Sequence, residues 1–193
     1  MADWTVTWKP QFSYKTTKKW DTLISTFETG EEQRRSRRAV NRATFGVQFT
    51  GLSETTARAI QAFFDDELGA YGTFFYPSYG ELITGSRLAL IEGGGSDDTI
   101  TDSSSGFLTT GFDSDHGIWI AGSGAGNDGN YDVDTVIAGT VTLDSAEDVT
   151  AESGNTALIA YKSYNVRFVA DSLDVVWVTP NVCTMGFQLV EVI

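Results

Sequence analysis

The chain has 193 residues, of which 41% are hydrophobic, and a formal net charge of −13 at pH 7. This length suits one domain, or one domain with an inserted module, and it supplies enough apolar residues for a sizeable core. No apolar run reaches the roughly 18 residues of a membrane-spanning helix, and the opening MADWTVTWKP lacks the apolar centre of a signal peptide. We therefore expect a protein that is made in the cytoplasm and is not inserted in a membrane.

Apolar and polar residues alternate along much of the first half of the chain. Residues 4–8 and 43–49 show this alternation, which is typical of half-buried strands. Residues 20–27 form a further apolar run that we interpret as a core strand. Because aromatic and β-branched residues dominate the apolar set, we expect a mainly β fold with a β-sandwich or barrel-like core.

One segment has the signals of an α-helix. Ser53 is a good N-cap residue, Glu54 follows in the first turn, and Gly69 is a candidate for the left-handed C′ position. The apolar residues between them recur at helical spacing; they are Ala57, Ile60, Phe63, Phe64 and Leu68. We expect a single α-helix that packs against a sheet.

The charge is unevenly distributed along the chain. Residues 86–161 hold thirteen acids and one base, whereas the rest of the chain is nearly neutral. In the same segment short apolar runs alternate with Gly, Asp, Ser and Asn turns, which is typical of a small all-β module. We expect a discontinuous core domain, 1–85 with 162–193, and an inserted, solvated, acidic β module at 86–161.

A polar segment follows the turn at Gly30 and contains no apolar residue as far as Arg38. We interpret it as an extended loop that contacts a neighbouring protein chain, since Arg pairs well with carboxylates at interfaces. Nucleic-acid binding is the weaker alternative, because Glu28 and Glu31 adjoin the arginines. The candidate interface residues are Glu32, Gln33, Arg34, Arg35, Arg37 and Arg38.

Patterns for catalysis or metal binding are poor. Cys183 is best interpreted as a small buried hydrophobe, because His116, the only histidine, lies in a Gly/Asp-rich turn. Ser123 has alanines where a nucleophile elbow needs glycines. Residues 127–130, Asn-Asp-Gly-Asn, fail the EF-hand spacing and fit a hairpin turn better. We expect no enzyme, no cofactor and no dedicated metal site; an adventitious calcium at this turn stays open.

The core pattern resembles the distal tail and minor tail proteins of long-tailed bacteriophages and gene transfer agents, including the lambda minor tail protein M group. The resemblance covers over half the chain and rests on the order and spacing of several short motifs. These are Trp8-Lys9-Pro10, 27–30 with Glu32-Gln33-Arg34, 45–49, Ile60 with Phe63-Phe64 before Gly69, Phe74-Phe75-Tyr76-Pro77, Val166-Arg167-Phe168 and 187–192.

The insert resembles a β module that recurs in phage tail proteins, although this chain has His116-Gly117 where related modules often carry Gly-Asp. Its matching stretches are 98–102, Gly106-Phe107, Gly111-Phe112, 118–123, 127–133 and 141–143.

The resemblance implies a virion structural protein without catalysis, cofactor or required contact with nucleic acid. It would form a ring, a homo-hexamer, that joins the tail tube protein to the baseplate hub protein at the tail tip. The alternative function is a binding module, in which the insert recognises a host-surface glycan or a partner protein through exposed aromatics such as Trp119 and Tyr131. Those two residues also suit the insert's own core.

Overall fold

The computed structural model describes residues 4–5, 8–11, 15–39, 41–94 and 97–192. The expected mainly β fold is confirmed. The helices are α1 Glu54–Asp66 and the single-turn α2 Phe107–Thr110, the second of which was not expected. The strands are β1 Lys15–Lys19, β2 Thr22–Thr26, β3 Glu32–Ser36, β4 Arg42–Ser53, β5 Phe74–Thr84, β6 Leu88–Ile91, β7 Thr99–Asp102, β8 Gly117–Ala121, β9 Gly129–Tyr131, β10 Val133–Ile137, β11 Thr140–Leu143, β12 Glu152–Ser153, β13 Ile159–Phe168, β14 Asp174–Thr179 and β15 Val182–Glu191.

The chain divides into two compact units. Unit 1 comprises residues 1–74 and 166–193, and unit 2 comprises residues 75–165. The first unit is therefore discontinuous in sequence, and the second is one continuous stretch. The boundaries that we expected from the change in composition, at 85/86 and 161/162, lie inside unit 2 rather than at its limits. The change in composition marks only the acidic, turn-rich segment. The compact unit also includes most of the two long strands that flank this segment, β5 and β13.

In unit 1, β15 is the central strand of an antiparallel sheet. It pairs with β4 along one edge, with Met185 opposite Phe49 and Leu189 opposite Phe45. Its other edge pairs with β14 and, through its last residues, with the end of β13. Strand β1 pairs with the far side of β4. The strand expected at residues 4–8 includes 6 and 7, which lie outside the described residues.

Aromatic side chains form the interior of unit 1. Trp4 is fully buried, and its ring lies within about 6 Å of the rings of Phe63 and Phe74, with centroid distances of 5.8 and 6.0 Å. Phe74 also contacts Phe168 at 5.2 Å. The side chain of Phe63 comes from α1, so this helix closes the unit by placing its apolar face against the sheet residues.

Helix α1 begins as the sequence predicts and ends differently. The Ser53 hydroxyl accepts a hydrogen bond from the Thr56 N–H at 3.2 Å. At the other end Leu68, not Gly69, takes the first left-handed position, with φ of 54°. The Leu68 N–H bonds to Asp65 O and the Gly69 N–H to Phe64 O, both at 3.0 Å, which is the hydrogen-bond pattern of a Schellman motif. Gly69 therefore occupies the next position along.

Unit 2 contains a five-stranded antiparallel sheet in the order β10-β11-β7-β6-β12. Strand β8 pairs with β9 on one side and with Ile159–Ser163 of β13 on the other. The inward side chains form one apolar cluster; its members are Ile83, Leu88, Leu90, Ile100, Phe107, Phe112, Ile118, Ile120, Val141, Leu143, Val149, Leu158 and Ala160. Unit 2 thus has a hydrophobic core of its own.

Candidate functional site

Residues 20–38 form an exposed β-hairpin, which we call the arm. Strands β2 and β3 pair with each other from Thr22 opposite Ser36 to Thr26 opposite Glu32, and they form a separate two-stranded sheet. At the tip, the Phe27 N–H bonds to Glu31 O at 2.9 Å. Gly30 has φ of 84°, a conformation that glycine adopts without a steric penalty. The expectation that residues 31–38 form a polar loop is therefore wrong, because residues 32–36 are the second strand of this hairpin.

Large apolar side chains of the arm are exposed. Trp20, Leu23, Ile24 and Phe27 have exposed fractions of 57%, 44%, 55% and 53%. The interpretation of residues 20–27 as a core strand is wrong for this reason. Leu23 and Ile24 are neighbours in the chain, so they project from opposite faces of β2. The adjacent Leu23 and Ile24 were a signal of this exposure in the sequence. A strand that its own core covers on one face carries its apolar residues at every second position.

The six residues expected at an interface all lie on the arm and are all exposed. The Arg34 Nη2 lies 2.7 Å from Glu32 Oε2, and the Arg38 Nε lies 3.9 Å from Asp21 Oδ2. Within the described part of the chain, Arg35 and Arg37 form no ion pair. Exposed ion pairs contribute little to stability. The charges of the arm are thus available to another molecule.

The charge of the arm is divided along its length. Arg37 and Arg38 lie at the end where the arm joins the rest of the unit, beside Asp21, and Arg34 and Arg35 lie midway along β3. Three acids, Glu28, Glu31 and Glu32, lie at the tip. The arm therefore presents a basic end, an acidic tip and apolar side chains on both faces.

Two buried acids of unit 2, Asp98 and Asp102, accept hydrogen bonds from backbone N–H groups of nearby loops. Asp98 accepts hydrogen bonds from the Gly93 N–H at 2.7 Å and from the Val149 N–H at 2.6 Å. Asp102 accepts hydrogen bonds from the Gly106 N–H at 2.7 Å and the Ser104 N–H at 3.0 Å, and Arg87 lies 3.2 Å from one of its oxygens. Both carboxylates are buried, although the acids of the insert were expected to be solvated. Their role is to satisfy backbone donors that no strand partner reaches.

A third acid, Glu152, joins two loops of unit 2. Its carboxylate accepts hydrogen bonds from the Ser123 hydroxyl at 2.5 Å, the Gly124 N–H at 2.8 Å and the Asn155 side-chain amide at 2.7 Å. The hydrogen bond from Ser123, supported by those from Gly124 and Asn155, outweighs desolvation and lowers the pKa of Glu152 to about 2. Ser123 is therefore a partner of a structural carboxylate.

His116 and Lys162 converge on Asp113. The His116 Nδ1 lies 2.5 Å from one oxygen of Asp113, and the Lys162 Nζ lies 2.7 Å from the other. Lys162 is only 3% exposed and also donates to Gly111 O. Burial raises the pKa of Asp113, but hydrogen bonds and charge attraction from His116 and Lys162 outweigh it, so the pKa lies well below its usual range. Asp113 thus neutralises a buried lysine.

The aromatic site considered for the insert is not present in the expected form. Trp119 is 5% exposed, so its indole has almost no surface available to a ligand. Tyr131 is partly buried and donates its hydroxyl to Asn127 O at 2.9 Å. Burial, followed by the charges of nearby acids, raises the pKa of Tyr131. No observation therefore favours a glycan site built on these two side chains.

Asn127 explains the Asn-Asp-Gly-Asn turn. It is 4% exposed, donates to Thr150 O at 2.9 Å and accepts from the Thr150 N–H at 2.8 Å. Within the described residues no group of three or more His, Cys, Asp or Glu side chains is placed to hold a metal ion. Cys183 is buried, as expected, and burial raises the pKa of its thiol.

No helix in the described part of the chain has the length and apolar character needed to cross a membrane. A scan of the sequence against protein-family models and a search of curated proteins both find no match.

Proposed function

We propose that this protein is a structural subunit of a phage-like tail tip, in which copies form a closed ring that joins the tail tube to the baseplate hub. The observation that carries the proposal is the arm, a two-stranded hairpin with exposed apolar side chains on both faces. An isolated two-stranded hairpin is at best marginally stable in water, because its side chains bury little surface. A partner that covers the arm supplies the missing burial.

The composition of the arm suits a protein partner. Protein interfaces are enriched in aromatic residues and arginine, and the arm presents Trp20, Phe27 and four arginines. The partner we propose is a second copy of the same chain. When each copy contacts the next through two different surfaces, the assembly is head-to-tail, and it closes into a ring if the rotation between copies allows.

The remaining details of the proposal rest on the resemblance to distal tail proteins. They are a homo-hexamer, a tail tube protein above the ring, a hub protein below it, and a location at the tail tip of the virion. The proposal includes no catalysis, no cofactor and no contact with nucleic acid. Its distinguishing claim is that the arm is needed for assembly and is dispensable for folding of the single chain.

The test compares the purified full chain with a variant in which Arg34, Arg35, Arg37 and Arg38 are all replaced by alanine. Native mass spectrometry and electron microscopy measure assembly, and circular dichroism measures the melting temperature. We expect rings from the wild-type chain, an unchanged melting temperature in the variant, and loss of rings and of tail assembly in a complementation assay. Arg58→Ala, which removes an exposed arginine of α1, is the control and should assemble normally.

Two outcomes would contradict the proposal. Normal tail assembly with the fourfold variant would show that the four arginines make no contact that assembly requires. A lowered melting temperature of the variant would show that the arm belongs to the fold of the single chain.

A further inference from the structure

The turn after α1, residues 68–71, presents a second exposed apolar surface on unit 1; we call it the apolar turn. Leu68 is 69% exposed and Tyr71 is 84% exposed. The turn is held by several hydrogen bonds: the Tyr71 N–H bonds to Leu68 O at 3.4 Å, and the Ala70 N–H bonds to Asp171 Oδ1 at 2.9 Å. The two side chains are thus held out to solvent by an ordered backbone, and little conformational entropy is lost when they bind a partner.

Acidic residues surround the apolar turn. Asp65 and Asp66 end α1, and the last turn of the helix contains no basic residue. A helix C-terminus carries partial negative charge, so two aspartates there are unfavourable and a cation is favourable. In the described part of the chain neither aspartate forms an ion pair. Asp171, which is also exposed, lies beside the turn. A cationic partner would relieve this repulsion.

The arm has the complementary composition. Leu23 on β2 lies opposite Arg35 on β3, so one face combines an exposed apolar side chain with an arginine that has no carboxylate partner among the described residues. Arg37 follows near the same end of the arm. No hydrogen bond or ion pair within the described chain joins the arm to the apolar turn. The arm and the apolar turn are therefore complementary in charge, both carry exposed apolar side chains, and they do not bond to each other within the described part of the single chain.

We propose that the arm of one copy docks on the apolar turn of a second copy. Leu23 and its neighbours cover Leu68 and Tyr71, and Arg35 and Arg37 face Asp65 and Asp66. This inference rests on the proposed ring and adds to it the surface that receives the arm. Because the two surfaces differ, each copy inserts its arm into one neighbour and binds the arm of the other neighbour. This is the contact that a closed head-to-tail ring requires.

The decisive experiment is a charge exchange in the full chain, followed by sedimentation velocity. Arg35→Glu with Arg37→Glu, and separately Asp65→Arg with Asp66→Arg, should each weaken association by about tenfold or more, because each places like charges opposite one another. The combined variant, with all four substitutions, restores opposite charges and should associate nearly as tightly as the wild type. Asp134→Arg, at an exposed acid of unit 2, is the control and should have no effect.

A second set of variants tests the apolar part of the contact. Leu68→Ser and Tyr71→Ser should leave the melting temperature of the single chain nearly unchanged and weaken association. Ile137→Ser, at an apolar residue of unit 2 that is 62% exposed, should change neither the melting temperature nor the association. A ring that forms in the wild type, and a combined charge variant as weak as its two parents, would overturn the docking surface and leave the proposed function standing. A wild-type chain that stays monomeric at every concentration would overturn both.

Discussion

Leu23 on β2 and Arg35 on β3 lie directly opposite each other in the arm, so both side chains project from one face of a hairpin that unit 1 does not cover. Burial therefore does not explain the leucine, and an internal ion pair does not explain the arginine. In the ring that we propose, both side chains would lie on a surface that a second copy covers. The same pairing places Ile24 opposite Arg34 on the other face.

The first prediction concerns the apolar residues of the arm. Leu23→Ser combined with Ile24→Ser should change the unfolding free energy of the single chain by no more than about 0.5 kcal/mol, since exposed side chains contribute little to folding, and should reduce assembly. Leu90→Ser, at a buried residue of unit 2, is the comparison variant. Its loss of unfolding free energy should be several times larger than that of the arm variant. Chemical denaturation measures both. Equal losses for the two variants would place the arm in a folded core.

The second prediction concerns Leu68, which is exposed and has a left-handed backbone. That conformation costs a non-glycine residue about 1–2 kcal/mol, and the entropy cost of glycine offsets part of the gain. Leu68→Gly should therefore raise the unfolding free energy by about 0.5–1 kcal/mol. Leu68→Ala keeps the Cβ atom and should give no such gain. Stabilisation by alanine equal to that by glycine would exclude backbone strain as the cause.

The third prediction concerns the N-cap of α1. Ser53→Ala removes the acceptor of the Thr56 N–H and should lower the unfolding free energy by about 1 kcal/mol. Ser53→Asp keeps an acceptor and should be close to the wild type. Thermal melting of the three proteins measures the difference. Alanine and aspartate variants of equal stability would show that the hydrogen bond contributes nothing.

The fourth prediction concerns pH. The fold lowers the pKa of Glu152 from its ordinary 4.5 to about 2, so its ionised form is stabilised in the folded state. This stabilisation is complete above about pH 4.5 and is lost as the pH falls towards 2. Glu152→Gln places an amide group among donors and should cost about 1 kcal/mol at pH 7. It should also flatten the fall in stability between pH 4.5 and 2, and an unchanged slope would contradict the assignment.

The fifth prediction compares the two sides of one ion pair. Asp113→Asn leaves Lys162 buried without its carboxylate, whereas Lys162→Met leaves Asp113, which is 46% exposed and can be hydrated. Removing one partner of a buried pair is costly mainly because of the charge that remains. Asp113→Asn should therefore destabilise unit 2 more than Lys162→Met does. Denaturation at pH 7 measures the order, and the reverse order would show that packing of the lysine stem dominates.

Local patterns predicted several elements correctly. The alternation of Phe45, Val47 and Phe49 identified β4, and Ser53 identified the start of α1. These signals depend on short-range rules, namely the two-residue period of a strand and the hydrogen bond of a cap. They need no knowledge of the rest of the chain.

The arm could not be predicted in the same way. The residues of β3 are polar and form a strand because β2 lies beside them, so their conformation depends on pairing. Residues 20–27 were assigned to the core on their apolar content, although the adjacent Leu23 and Ile24 depart from the two-residue period of a strand covered on one face by its own core. The burial of Trp119 agrees with the interpretation that this residue suits the interior of the insert better than an exposed binding site.

The central position of β15 also sets the order in which the polypeptide folds as the ribosome makes it. Strand β4 emerges early, but its main partner emerges only after all of unit 2 has been synthesised. Unit 2 is continuous and can fold first, because its contacts close shorter loops. Until β15 is made, the sheet beside the arm lacks its middle strand and the aromatic interior stays open. For the ring that we propose, the sheet that carries the arm would therefore be complete only after β15 has been made.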